Sequence, residues 1–276
     1  MNQIENKDLE ENKDLEENKD LEENKDLEKN KDLEENKDLE KNKLKKFFYK
    51  EKSNHLIHKW SNYFDIYDKH FNKFIGKNPI ILEIGVFKGG SIDMWNYYFD
   101  NNCTIYAIDI NEECLKLQQD FGDNVHIIIG DQNDDIFWKK FLEKNINFDI
   151  IIDDGSHVSK HQIRTLKKLY NSLTNGGIYL CEDICTSYSL DTKTSFIEFC
   201  KSLIDNLNIY HTPDHNNTDK TILKAIDFKK KTFSLTFYDN VVVIDKLFNE
   251  RSYEIKKIIN NDDNTFEIRE LKKKLH

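Results

Sequence analysis

The sequence predicts an α/β fold, a mostly parallel sheet covered by helices on both faces and finished by an antiparallel hairpin. Three observations carry this. Strand-like and helix-like segments alternate from Pro79 onward, and the strands read as continuous apolar runs. The last pair, Thr232 to Tyr238 and Val241 to Ile244, is joined by Asp239-Asn240, a two-residue turn. Continuous apolar strands imply burial on both faces, the habit of parallel sheets. A two-residue connection can only join antiparallel neighbours.

The elements follow in order. Residues 54–75 predict a helix that docks on the main domain, because Trp60, Tyr63, Phe64, Tyr67, Phe71, Phe74 and Ile75 recur at helical spacing. Pro79 opens a strand from Ile80 to Ile84, broken by Gly85. Ile105 to Ile110 is the second strand, with a helix near 112–120. Val125 to Ile129 is the third, with a helix near 133–143. Phe148 to Ile152 is the fourth, leading into a helix over 158–173 that Asn175-Gly176-Gly177 would terminate. A strand over 178–182 and a helix near 194–206 precede the hairpin. Residues 251–276 form a charged, lysine-rich stretch, read as a helix starting near Asn264 with Glu267 in capping-box position.

The N-terminal 43 residues stand apart. Residues 5–40 are six hexapeptides, five reading Glu-Asn-Lys-Asp-Leu-Glu and one beginning with Lys29. The five standard units account for the whole formal charge of −10, so the remainder is neutral. Successive leucines rotate by about 240° around a helix and form no stripe, and a hexad does not fit the coiled-coil repeat. The segment is expected to be a disordered, solvated tail, with a partner-binding role left open.

Composition excludes several classes. No apolar run approaches the ~18 residues of a membrane span, and the acidic N-terminus lacks the basic and apolar regions of a signal peptide. Five cysteines, 103, 114, 181, 185 and 200, suit reduced thiols in a cytoplasmic protein. No nucleic-acid or membrane partner is expected, and a homo-oligomer is compatible with the sequence.

Chemistry concentrates at strand ends, where open α/β sheets bind ligands. Asp153-Asp154-Gly155-Ser156-His157 joins the fourth strand to its helix, and Glu182-Asp183 closes the next strand. Asp154, Glu182 and Asp183 offer hard oxygens for a magnesium-like cation. His157 is the group there that titrates near neutrality, hence the general base. Asp153 either faces the donor side or supports the turn. The first strand ends Glu83-Ile84-Gly85, followed by Gly89-Gly90-Ser91. This loop lacks G-x-G-x-x-G and sets a carboxylate before its first glycine, which repels a pyrophosphate and suits a cationic ligand such as a sulfonium. Asp109 and Asp131 follow the second and third strands, where acids can hold a ribose diol or edge an adenine.

Trp60-x2-Tyr63-Phe64-x-Ile66-Tyr67, Leu82-Glu83-Ile84-Gly85-Val86, Gly130-Asp131-Gln132, the Asp153–His157 pentad and Glu182-Asp183 with Thr186-Ser187-Tyr188 together carry a resemblance. Over roughly residues 57–245 the chain resembles the class I S-adenosylmethionine-dependent methyltransferases of the macrolide-sugar (mycinamicin and tylosin) O-methyltransferase type. Ser189 stands where that family often has an aromatic residue. The resemblance implies a Rossmann-like, seven-stranded methyltransferase domain over 77–250, preceded by a helical segment over 44–76. It implies S-adenosylmethionine held by Glu83, Gly85, Ser91, Asp109, Asp131 and Asp153, and Mg2+ or a similar divalent cation on Asp154, Glu182 and Asp183. His157 would be the base, and the acceptor a hydroxyl of a sugar or glycosylated small molecule. Two rival readings are a nicotinamide-dependent oxidoreductase, which the missing glycine motif and the hairpin oppose, and a non-catalytic scaffold for the tail, which the retained acidic and basic groups oppose.

Overall fold

In the computed structural model the described residues are 39–189, 195–208, 228–247, 254–260 and 265–271. The repeats up to residue 38, and the expectations placed on them, lie outside the described residues. Helix α1 is Lys43–Lys50. Its cap is Asn42, whose Oδ1 accepts from the Leu44 and Lys45 amides while its Nδ2 donates to the Phe64 carbonyl. One asparagine thus caps α1 and ties it to helix α2, Tyr63–Phe71.

The main sheet contains seven strands: β1 Ile80–Ile84, β2 Thr104–Asp109, β3 Val125–Ile129, β4 Phe148–Asp153, β5 Leu173–Cys181, β6 Thr232–Tyr238 and β7 Val241–Lys246. Their order is β3-β2-β1-β4-β5-β7-β6. β1 to β5 pair in parallel, and β7 inserts antiparallel between β5 and β6. Helices α3 (Gly90–Tyr98), α4 (Asp135–Leu142), α5 (Ser159–Leu169) and α6 (Phe196–Asn208) cover it. Alternate strand residues divide between two cores. Ile81, Ile105, Ile150 and Leu180 pack on the side of α1, α2 and α3, and Leu82, Ile151, Tyr179 and Val242 on the side of α4, α5 and α6. Each fully buried aliphatic side chain among them contributes roughly 1.5–3 kcal/mol.

Four expectations are corrected. The helix read over 54–75 begins only at Tyr63, with residues 54–62 non-helical. His55 and Ser53 bond Asp93 of α3 and hold that stretch against the sheet's carboxyl edge, so Trp60 is 60% exposed and is no part of the stripe. The helix near 112–120 is a 3-10 helix, Glu112–Asp120. Its Gln118 amide donates to the Val125 carbonyl and accepts from the Ile127 amide, so it covers the free edge of β3.

Asn175-Gly176-Gly177 lies inside β5. Helix α5 ends at Leu169, a 3-10 turn follows to Ser172, and Gly176 at φ +83 allows the bulge between the Phe148 and Ile150 registers. The C-terminal stretch is an antiparallel pair, β8 (Glu254–Asn260) with β9 (Thr265–Leu271), not a helix. There the period-two spacing of Phe266 and Ile268 prevails over a weak capping signal.

Candidate active site

The carboxyl ends of β1 to β5 lie side by side, and each delivers its motif to one edge. At β1, Gly85 has φ +101, and a Cβ there would sit 2.1 Å from the Asp154 carbonyl oxygen. Only glycine permits that approach of the β1 and β4 loops. A cleft of about 130 Å³ opens beside it, lined by Gly85, Asp109, Asp131, Gln132, Gly155 and Ser156 among others. Asp109 Oδ2 accepts from the Val86 and Phe87 amides (2.8 and 3.0 Å), which fixes the loop after β1. Asp131 Oδ1 accepts from the Asn133 amide at 2.7 Å.

The structure therefore brings together three of the six donor-side residues expected from sequence: Gly85, Asp109 and Asp131. The other three sit behind the cleft. Glu83 is fully buried and accepts from Ser91 Oγ (2.8 Å) and Trp95 Nε1 (3.2 Å), and neither Glu83 nor Ser91 lines the cleft. Burial pushes the Glu83 carboxyl up to about 7 against the opposing pull of Lys59. Asp153 accepts from Gln132 Nε2 (3.1 Å) and Tyr179 OH (3.0 Å). Of its two sequence roles, turn support is the one its geometry serves, and its carboxyl is pushed by burial to about 6.

β4 and β5 build the other half. His157 occupies the left-handed region at φ +56, a conformation that costs a non-glycine residue of order 1 kcal/mol. Thr186 Oγ1 donates to its carbonyl at 2.7 Å and holds it there. His157 Nε2 lies 3.6 Å from Asp183 Oδ2 and 4.0 Å from Asp154 Oδ1, while Nδ1 is buried without a partner. These three residues can each place a ligand atom within 4.8 Å of the others. Asp183 Oδ1 is anchored by Tyr63 OH (2.6 Å), Asn240 Nδ2 (2.8 Å) and Trp60 Nε1 (3.1 Å), leaving Oδ2 toward the histidine.

Glu182, the third acid expected to hold the metal, is more buried than Asp154 and Asp183. It is 1% exposed, and both oxygens are engaged, by Tyr67 OH at 2.5 Å and by the Lys59 ammonium at 2.8 Å. Lys59 also reaches Asp154 Oδ2 at 2.5 Å. Burial and the neighbouring Asp154 carboxylate raise the Glu182 pKa. Burial alone would lower that of Lys59, but Asp154, Glu182 and Glu83 outweigh it and hold the lysine above its ordinary value. His161 turns away to Ser156 Oγ at 2.8 Å and does not join His157. The five cysteines are free thiols.

Sequence reasoning missed Lys59, Tyr67 and Tyr179, and it assigned Asn240 only a turn. Lys59 sits in a stretch read as helix, where its position carries no periodic signal. Asn240 has two tasks, since at φ +65 it makes the hairpin turn and its side chain also buttresses Asp183.

Strand order β3-β2-β1-β4-β5-β7-β6 with an acidic carboxyl edge defines the class I methyltransferase fold. Residues 82–184 match a family described as a methyltransferase domain. The chain is 30% identical over 213 residues to 8-demethyl-8-alpha-L-rhamnosyl tetracenomycin-C 2'-O-methyltransferase of Streptomyces olivaceus, covering 69% of this chain and 52% of that protein. It is 29% identical to mycinamicin VI 2''-O-methyltransferase of Micromonospora griseorubida, covering 65% and 47%. The solved structure of MycE, a methyltransferase of the mycinamycin pathway in complex with Mg and SAH, superposes with a TM-score of 0.59 at 28% identity, over 67% of this chain and 49% of MycE. The chain resembles the macrolide-sugar O-methyltransferases, and it spans about half the length of these relatives. No described helix is long and apolar enough to cross a membrane.

Proposed function

We propose that this protein is an S-adenosylmethionine-dependent, cation-assisted O-methyltransferase acting on a hydroxyl of a sugar or glycosylated small molecule, and that it works in the cytoplasm. One observation carries the reading. A cleft with glycine, Asp109 and Asp131 on its walls lies on the same sheet edge as a histidine flanked by two carboxylate oxygens that no hydrogen-bond donor holds among the described residues. The likeness to MycE, solved with Mg and SAH, supports it.

The residues present fit a divalent cation. Asp154 Oδ1 and Asp183 Oδ2 are hard oxygens facing one point, with positions left open for an acceptor. A cation held by Asp154 and Asp183 would lower the pKa of an acceptor hydroxyl brought to it. His157 Nε2 is the ring nitrogen that faces this point, and it accepts the hydroxyl proton as the oxygen attacks the donor methyl. Gly85 lets the β1 loop approach the donor closely, and Asp109 holds that loop in place. Asp109 and Asp131 retain acceptor capacity toward the donor's hydroxyl and amino groups. Methyl transfer from a sulfonium to a nascent alkoxide disperses charge, so alignment and exclusion of water supply most of the acceleration.

The test is transfer of labelled methyl groups from S-adenosylmethionine to a panel of glycosides and nucleotide sugars, with and without Mg2+. Labelled product that disappears on chelation is expected. Failure across the panel with SAH binding intact would sink the sugar assignment, and absence of SAH binding would sink the methyltransferase reading itself.

A further inference from the structure

Gln132 follows β3 and lines the donor-side cleft, yet it is only 5% exposed. Its side chain is engaged by the neighbouring loop. Oε1 accepts from the Ser156 amide at 2.6 Å, and Nε2 donates to Asp153 Oδ1 (3.1 Å) and Thr165 Oγ1 (3.0 Å). A primary amide carries two N–H donors, so both are used and none is left for a ligand in the cleft. The Gln132 carbonyl accepts from Trp138 Nε1 at 2.9 Å, which ties the residue to α4. The fit is steric as well as polar, since a Cβ on Gly155 would lie 2.3 Å from Gln132 Oε1 and 2.9 Å from Ile84 Cγ2. Tyr179 OH completes the cluster on the other Asp153 oxygen at 3.0 Å. None of these bonds involves Asp154, Glu182 or Asp183.

His157 comes directly after Ser156. Its backbone sits at φ +56, and Thr186 Oγ1 holds its carbonyl from the β5 side. Gln132 holds the Ser156 amide from the β3 side. We propose that Gln132 is a positioning residue that fixes the loop carrying His157 and joins the wall of the donor cleft to the side of the site that takes the proton. The inference rests on the methyltransferase reading given above and deepens it. Gln132 acts through Ser156 and Asp153 and does not touch the reacting atoms. A misplacement of about 1 Å costs on the order of a hundredfold in rate where groups must meet in line. A buried glutamine with all of its donors engaged restrains the loop against such a shift.

The test is hydrogen–deuterium exchange of the full chain, read by mass spectrometry over residues 154–158. Gln132→Leu should speed exchange there by about tenfold or more, the effect of losing one buried hydrogen bond on local opening, while residues 148–152 of β4 keep the parent rates. Gln132→Met, an unbranched apolar chain of similar length, takes its place if the leucine variant folds poorly. The double variant Gln132→Glu/Asp153→Asn keeps the charge of the pair and reverses the direction of its hydrogen bond, with the new carboxylate still accepting from the Ser156 amide. Exchange should return to within about threefold of the parent, a repair that general loosening of the fold would not show. On an acceptor found in the panel, Gln132→Leu should lower transfer at saturating donor by about tenfold to a hundredfold with the KM for S-adenosylmethionine within about threefold, and the double variant should recover it. Parent-like exchange in both single variants would overturn the anchoring. A raised KM with transfer at saturating donor unchanged would make Gln132 a donor contact and overturn the positioning role. The exchange measurement needs neither donor nor acceptor, so it decides the anchoring even where SAH fails to bind, a failure that counts against the methyltransferase reading alone.

Discussion

The two halves of the sheet's carboxyl edge use their acidic residues in opposite ways. Along β1 to β3, side chains hold the loops: Asp109 takes two amides of the loop after β1, Asp131 takes one of its own loop, and Glu83 is closed off behind Ser91 and Trp95. Along β4 and β5, Asp154 and Asp183 are each held by one oxygen and present the other toward His157. A satisfied carboxylate shapes a cleft, and a half-satisfied one is available for chemistry. On the function proposed above, the first half would hold the donor, and the second would bind a cation and move a proton.

Substitutions that respect this division should separate binding from chemistry. A large effect is expected from Asp154→Asn, which weakens the convergent oxygen pair and the anchor of Lys59 together. Methyl transfer should fall by about a hundredfold or more while SAH affinity is kept. Gly85→Ala attacks the seam between the halves, since its Cβ would meet the Asp154 carbonyl at 2.1 Å with φ at +101. Denaturant unfolding should show a loss of roughly 2–4 kcal/mol. SAH affinity should fall by about tenfold or more, since a 1.4 kcal/mol loss of fit already weakens binding by that factor.

The smallest effect concerns Glu83. Its folded carboxyl is raised from 4.5 to about 7 by burial, so between those pH values the native state keeps a proton that the unfolded chain has lost. The Glu83 contribution is therefore most favourable below about pH 4.5 and falls as pH rises toward 7, by roughly 3 kcal/mol. Glu83→Gln should flatten that part of the stability profile, measured by urea unfolding from pH 5 to 8. Glu182, raised in the same direction, should leave a residual slope. A profile unchanged by the substitution would show that Glu83 is ionised in the folded protein at pH 5.

Much of this architecture was legible in the sequence because strands buried on both faces leave continuous apolar runs and a two-residue turn leaves a short polar gap. The strand ends carrying Glu83, Asp109, Asp131, Asp154 and Asp183 could be read for the same reason. What could not be read depends on contacts between segments distant in the chain. Nothing in residues 54–62 indicates that His55 will find Asp93 or that Lys59 will find Glu182, 123 positions away. The same holds for Glu83, Ser91 and Asp153, which have the right residue types for a donor pocket, because only the packing shows that Trp95, Gln132 and Tyr179 have already claimed their oxygens. The C-terminal pair β8 and β9 was missed for a local reason, since a lysine-rich stretch of low hydropathy supports helix and strand patterns about equally.

The division of the edge is tested most directly by one variant measured two ways. His157→Ala should lower single-turnover methyl transfer by about a hundredfold to ten-thousandfold, the usual worth of a positioned base. Its SAH affinity, read by calorimetry, should stay within about twofold of the parent, a shift of less than half a kcal/mol. Parallel loss of transfer and SAH affinity would place His157 in the donor pocket and contradict the separation of the two halves.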